Sequence, residues 1–253
     1  MVRWPITSNS TKGSAPFQLP FHNRTVAKMT AFAEAPSCVR FPARYGDAVS
    51  GLRLRVFDPT ENELPGWVDS TDIGQHLRAV VTWGALVVPV ELSRKWGVSV
   101  DELVATATER VVELACERDT IERDQAAIEV TLGHHWTSSL ITRVNEVPGG
   151  PEGTIVAIPC SDVMMTAPVV GALTIDSLEL IMDLCHELYD PADNGITPHV
   201  WWSWNHSLWR LTDRQPDGSV DFHPAANVAA FYLVEAIEHL VDPCDECGRT
   251  RSL

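Results

Sequence analysis

Basic residues are scarce in this chain. Lys and Arg number 19 against 34 Asp and Glu in 253 residues, a formal net charge of −15. Nucleic-acid recognition needs a basic face to meet phosphates, and docking on anionic lipid needs the same, so both classes are disfavoured. Long apolar runs are missing too. No window approaches the roughly 18 uninterrupted apolar residues of a membrane-spanning helix. The opening residues, Met1-Val2-Arg3-Trp4-Pro5, lack the apolar stretch of a secretory signal, which implies a cytoplasmic setting. There is no G-x-x-x-x-G-K-[ST] and no G-x-S-x-G. Gly149-Gly150-Pro151-Glu152-Gly153 leads into a strand rather than a helix, so it reads as a turn and not as a phosphate cradle.

Hydrophobic residues make up 45% of the chain, enough for a full core without disulfide or metal staples. Cys38, Cys116, Cys160, Cys185, Cys244 and Cys247 are read as reduced thiols, because four of them are scattered through apolar segments.

Residues 1–45 are rich in Ser, Thr and Pro and show no period, which predicts an extended or partly disordered arm. Residues 46–241 read as a single domain and residues 242–253 as a polar tail. Gly51 to Phe57 alternates as a half-buried strand does. Arg78 to Val90 is strand material broken near Gly84. Ser99-Val100-Asp101-Glu102 has the form of a capping box, and Leu103, Ala107, Val111 and Leu114 then share a helical face. Strands are expected at 126–132, 154–159 and 162–167, and a short helix at 137–147. A helix capped by Thr174 should run to Tyr189, and one opened by Pro224 should carry Val228, Phe231, Val234, Ile237 and Leu240 inward. Pro198–Trp204 and Ser207–Leu211 form a predicted hairpin with Asn205-His206 as its turn. Adjacent strand pairs imply hairpins, hence an α+β fold with an antiparallel or mixed sheet and helices mainly on one face.

Three segments between about residues 80 and 211 carry a family resemblance. They are Val87-Val88-Pro89-Val90 leading into Leu92–Leu103, Gly153–Met165 with its Pro159-Cys160-Ser161-Asp162 centre, and Ile196–Trp204. In order and spacing the chain resembles the bacterial family catalogued as domain of unknown function 1444. Where that family has a basic residue before the Asp, this chain has Ser161. The resemblance implies an α+β fold and a cytoplasmic setting, and no catalytic residue.

Several groups are chemically suggestive. His186-Glu187-Leu188-Tyr189-Asp190 approximates H-E-x-x-H, with His186 and Asp190 on one helical face and Glu187 as a general base. Glu179 and Asp183 share that face, which is also how a solvated helix surface reads. His134-His135-Trp136 sits between a strand and a helix, where paired imidazoles can bind metal or move a proton, or simply flank a capped helix start. Cys244-Asp245-Glu246-Cys247 supplies half of a four-ligand zinc site; a redox pair or two tail thiols are the other readings. No histidine is followed by x-Glu, which removes the zinc deaminase pattern. Trp201, Trp202, Trp204 and Trp209 crowd one hairpin, whose two faces cannot both be assigned to the core by alternation alone; a partner surface is the alternative. The acid around Glu109/Glu113, Glu179/Asp183/Glu187 and Glu235/Glu238 is expected to form one broad negative surface. The reading is a cytoplasmic, non-enzymatic protein-binding module with a basic protein partner and no resident cofactor. The alternative is a metal-dependent enzyme built on the His, Glu and Cys candidates, with zinc as the possible cofactor.

Overall fold

The computed structural model describes residues 2–4, 40–61, 64–74, 76–113, 116–146, 152–170, 173–215 and 219–222. The expected helix after Pro224, the Cys244/Cys247 pair and most of the N-terminal arm lie outside the described residues. The fold is α+β with antiparallel sheets, as the hairpin pattern implied.

The strands are β1 (Val2–Trp4), β2 (Leu52–Phe57), β3 (Thr71–Gly74), β4 (Leu77–Trp83), β5 (Leu86–Val87), β6 (Glu117–Arg123), β7 (Ala126–Leu132), β8 (Thr154–Ala157), β9 (Val163–Pro168), β10 (Val200–Trp204), β11 (Ser207–Arg210), β12 (Thr212–Arg214) and β13 (Val220–Phe222). The helices are α1 (Tyr45–Ala48), α2 (Val90–Trp96), α3 (Val100–Val112) and α4 (Leu173–Tyr189). A 3-10 segment, Thr137–Glu146, is interrupted by non-helical backbone at Arg143.

A six-stranded sheet in the order β11-β10-β8-β9-β7-β6 forms the centre. Its inner strands are buried on both faces, which is why they read as continuous apolar runs rather than alternations. Ile155, Ala157, Met165 and Trp202 point to one face, where α4 covers them with Leu178, Ile181 and Cys185. Val156, Ile158, Met164 and Trp201 point to the other, against Ile141 and Val144 of the 3-10 segment and Val56 of β2. Beyond them lies the smaller sheet, β2-β4-β3 with β5 on β4, whose Leu52, Leu54, Ala79 and Val81 pack on Leu103, Ala107 and Val111 of α3. β1, β13 and β12 form a third, antiparallel set.

Local signals work where the physics is local. The Ser99 hydroxyl accepts from the Glu102 amide at 3.1 Å and caps α3. Asn205 and His206 both have positive φ, 48° and 59°, as a two-residue turn matched to strand twist requires. Gly153 (φ 98°) cannot be replaced: a Cβ there would sit 2.2 Å from the Ser203 carbonyl oxygen.

Three expectations are corrected. The strand expected to reach Val90 ends at Val87, and α2 starts after Pro89, which stands as its extended N-cap (φ −70°, ψ 151°) and has no amide to donate to a strand ladder. Thr174 lies inside the first turn of α4 rather than before it, and its hydroxyl accepts from the Val170 amide at 2.8 Å. The acid of α3 and that of α4 do not form one surface, because α4 packs on the six-stranded sheet and α3 on the smaller sheet beyond its other face; Glu235 and Glu238 lie outside the described residues.

Candidate functional site

The tryptophans are divided by burial. Trp201 and Trp202 are 0% and 1% exposed, so neither can form part of a partner surface on the folded chain. Both sheet faces are covered, and strand alternation sends one indole into each core layer. The Trp202 indole N–H donates to the Glu152 carbonyl at 2.8 Å and its ring stacks on Trp204 at 5.5 Å. Trp204 and Trp209 are half-buried on the same core layer.

The titratable candidates do not gather. His134 and His135 are exposed in the loop after β7, while His186 and Glu187 lie near the end of α4, half-buried and exposed respectively. Among the described residues no group of three or more His, Cys, Asp or Glu side chains is placed to hold a metal ion. Glu187 continues the exposed row Asp176, Glu179 and Asp183. Arg123 of β6 reaches Asp183 at 3.1 Å. Partial burial first, then the charges of Asp176 and Asp183, hold Glu179 above the usual carboxylate range.

His186 does approach one polar assembly, which is centred on a residue not singled out above. His199 is 3% exposed just before β10. Its Nε2 faces the Arg210 guanidinium, which in turn pairs with Asp213. A guanidinium can only donate, so Nε2 must carry its lone pair there and the ring is neutral with its proton on Nδ1. Burial first, then the Arg210 charge, lower the His199 pKa to about 4, against the opposing pull of Asp58 and Asp213; His186 adds a small push in the same downward direction. The His199 amide donates to the Thr197 hydroxyl at 3.3 Å, and that hydroxyl donates to Asp58 at 3.1 Å. Asp58, fully buried, also accepts from the amide and hydroxyl of Thr60 at 2.8 and 2.6 Å. The assembly therefore ties the loop after β2 to the large sheet. With its imidazole lone pair committed to Arg210 and its carboxylate to three donors, it is built for holding rather than for chemistry.

Sequence reasoning passed over His199, although a signal existed. A histidine just before the apolar run Val200-Trp201-Trp202 needs a partner, and the two-residue turn fixes the register Trp201↔Arg210, which makes Arg210 a diagonal neighbour of His199.

His135 lines a small recess of about 50 Å³ that opens to solvent. Arg55 of β2, Thr82 of β4, Gly84 and Ala85 in the β4–β5 turn, Trp136 and Ser161 form the rest of its wall. Arg53 and Arg55 alternate with Leu52 and Leu54, so their side chains leave β2 on the face opposite the α3 core. The Arg53 guanidinium lies over the Trp136 ring at 5.8 Å from its centroid and donates to the Ser50 and Leu52 carbonyls.

The described cysteines, Cys116, Cys160 and Cys185, are free thiols. Burial first, then the neighbouring Asp162 charge, push the Cys160 thiol far above its ordinary range. Among the described residues no helix is long and apolar enough to cross a membrane. The chain matches no family model, no curated protein and no solved structure.

Proposed function

We propose that this chain is a non-enzymatic protein-binding module of a reducing compartment, the cytoplasm, and that a basic segment of its partner docks along α4. The observation that carries the reading is the exposed acidic row Asp176, Glu179, Asp183 and Glu187 along α4, in which burial and the neighbouring charges also hold Glu179 above its usual range. A lysine- or arginine-rich segment laid on that row would remove the mutual repulsion, and steering by the −15 charge would speed the encounter. The free thiols of Cys116, Cys160 and Cys185 support the compartment. The relationship to domain of unknown function 1444 belongs to the same proposal. Its three motifs fall on β5 through α3, on the β8–β9 hairpin and on β10.

The test compares two charge reversals of equal size. Binding of a set of arginine-rich and lysine-rich 20-residue peptides is measured by fluorescence anisotropy at low and physiological salt. Glu179→Lys/Glu187→Lys on α4 should abolish binding, and Glu109→Lys/Glu113→Lys on α3 should leave most of it. Equal losses from both pairs would mean that only net charge is being read, and the α4 proposal would fall.

A further inference from the structure

β6 ends the central sheet, and its charges are complementary to themselves when the strand is reversed. Among the described residues it pairs only with β7, and all of its residues except Ile121 are exposed. We infer that this edge pairs with β6 of a second copy of the chain, antiparallel about Thr120, to give a two-fold dimer with one continuous sheet.

The strand reads Glu117-Arg118-Asp119-Thr120-Ile121-Glu122-Arg123. Laid antiparallel on a copy of itself with Thr120 on the axis, it sets Glu117 opposite the partner's Arg123 and Arg118 opposite the partner's Glu122. The two-fold repeats both pairs on the other side of the axis, and no like charges stand directly opposite. Thr120 meets the partner's Thr120, a pair whose hydroxyls can hydrogen-bond. Asp119 opposite the partner's Ile121 is the one pairing that gains nothing. Arg118 already meets Glu129 at 3.6 Å and Arg123 meets Asp183 at 3.1 Å. Both arginine side chains are still more than half exposed, and a guanidinium has donors enough for a second carboxylate. Glu117 and Glu122 have no ion pair among the described residues. Repulsion between two chains of charge −15 is screened beyond about 8 Å at physiological ionic strength, and directly opposed side chains lie inside that distance.

The backbone suits the same register. The two-residue turn Asp124-Gln125 closes the hairpin at Arg123↔Ala126, and such a closing pair exchanges both of its hydrogen bonds. Alternation from there leaves the amides and carbonyls of Arg118, Thr120 and Glu122 pointing away from β7. An axis at Thr120 makes all of these residues hydrogen-bonded across the seam. In the single chain the Thr120 amide donates to the Asp119 carboxylate at 2.8 Å, a local bond that pairing exchanges for the partner's Thr120 carbonyl. β6 also lacks the usual devices that close an edge, since it has no proline, no lysine and no bulge in its register with β7. Charge alone guards it, and that charge admits its own copy.

A seam of one short strand is smaller than a standard interface, so the dimer is a weak one. Sedimentation velocity on the full chain, from about 1 μM to about 1 mM at physiological salt, should show a monomer–dimer equilibrium. Arg118→Glu and Glu122→Arg each place like charges opposite one another on both sides of the axis, and each should weaken the dimer about tenfold or more. An equimolar mixture of these two variants regains every opposite-charge pair and should dimerise as the wild type does. The double variant Arg118→Glu/Glu122→Arg should do the same. Thr120→Pro removes the central outward amide, which an edge strand tolerates, and should abolish dimerisation. A wild-type chain that stays monomeric over the whole range overturns the proposal. So does a dimer that survives both Arg118→Glu and Thr120→Pro, because the copies then meet elsewhere. Failure of the mixture and of the double variant to regain the dimer would overturn the Thr120 register. The charge variants alter exposed side chains only, so if Thr120→Pro does not fold, the two single variants and their mixture decide the matter.

Discussion

The two edges of the central sheet are both antiparallel hairpins, and they have opposite chemistry. At one edge β10 and β11 carry four tryptophans, with Trp201 and Trp202 sealed into separate core layers. At the other, β6 is a seven-residue strand of which only Ile121 is even half-buried and five residues are charged. The register is complete in both. Hydrogen-bonded pairing alone therefore does not say where a sheet gets its stability. The aromatic hairpin contributes buried area to both layers and rests against β3, whereas the charged hairpin keeps an exposed edge wet and unattractive to any strand whose charges do not match its own. Arg118–Glu129 at 3.6 Å is the kind of pair expected there, solvent-screened and weak.

Three measurements would break or sharpen this contrast. The largest effect is expected from Trp202→Ala. Loss of a fully buried indole and of its bond to Glu152 should cost about 3–5 kcal/mol in urea unfolding. A cost below 1 kcal/mol would show that the aromatic edge does not anchor the sheet.

The second concerns His199, at the foot of the same hairpin. Its folded pKa of about 4 lies below the ordinary value of 6.5, so between these limits the unfolded chain takes up the proton and the folded one does not. The stability it supports is complete above pH 6.5 and is lost as pH falls toward 4, by at most about 3 kcal/mol for a shift of this size. His199→Gln keeps a hydrogen-bonding atom for Arg210 but cannot be protonated. The variant should lose less stability than wild type between pH 7 and pH 4. Identical pH profiles would show that the imidazole does not titrate in this way.

The smallest effect belongs to the charged edge. Arg118→Ala should change stability by about 0–1 kcal/mol, and the change should vanish at high salt. A loss as large as that at Trp202 would erase the distinction between the edges.

The same contrast governs what could be read from the residues. The aromatic hairpin was legible, turn included, because a two-residue turn with apolar flanks is a local signal. So were the Ser99 cap of α3 and the inward face of α4. β6 was not, since a charged edge strand neither alternates nor buries a run, and only its partner β7 makes it a strand. α2 was hidden because it is only seven residues long and opens directly after the proline through which the expected strand was drawn. For the candidate site, His135 was identified, but the wall beside it comes from β2, β4 and the β8–β9 loop. The buried assembly around His199 depends on Thr197 and Asp58, which are 139 residues apart, and no local period can encode such a pair.

Cys160 carries a last consequence. Its thiol lies in the layer under α4, beside Cys185, with burial and Asp162 both opposing ionisation. Disulfide exchange and alkylation proceed through the thiolate, so in the closed fold this sulfur has almost nothing to react with. Its oxidation must wait for the layer to open. The rate at which this one sulfur oxidises is therefore set by how often α4 lifts from the sheet.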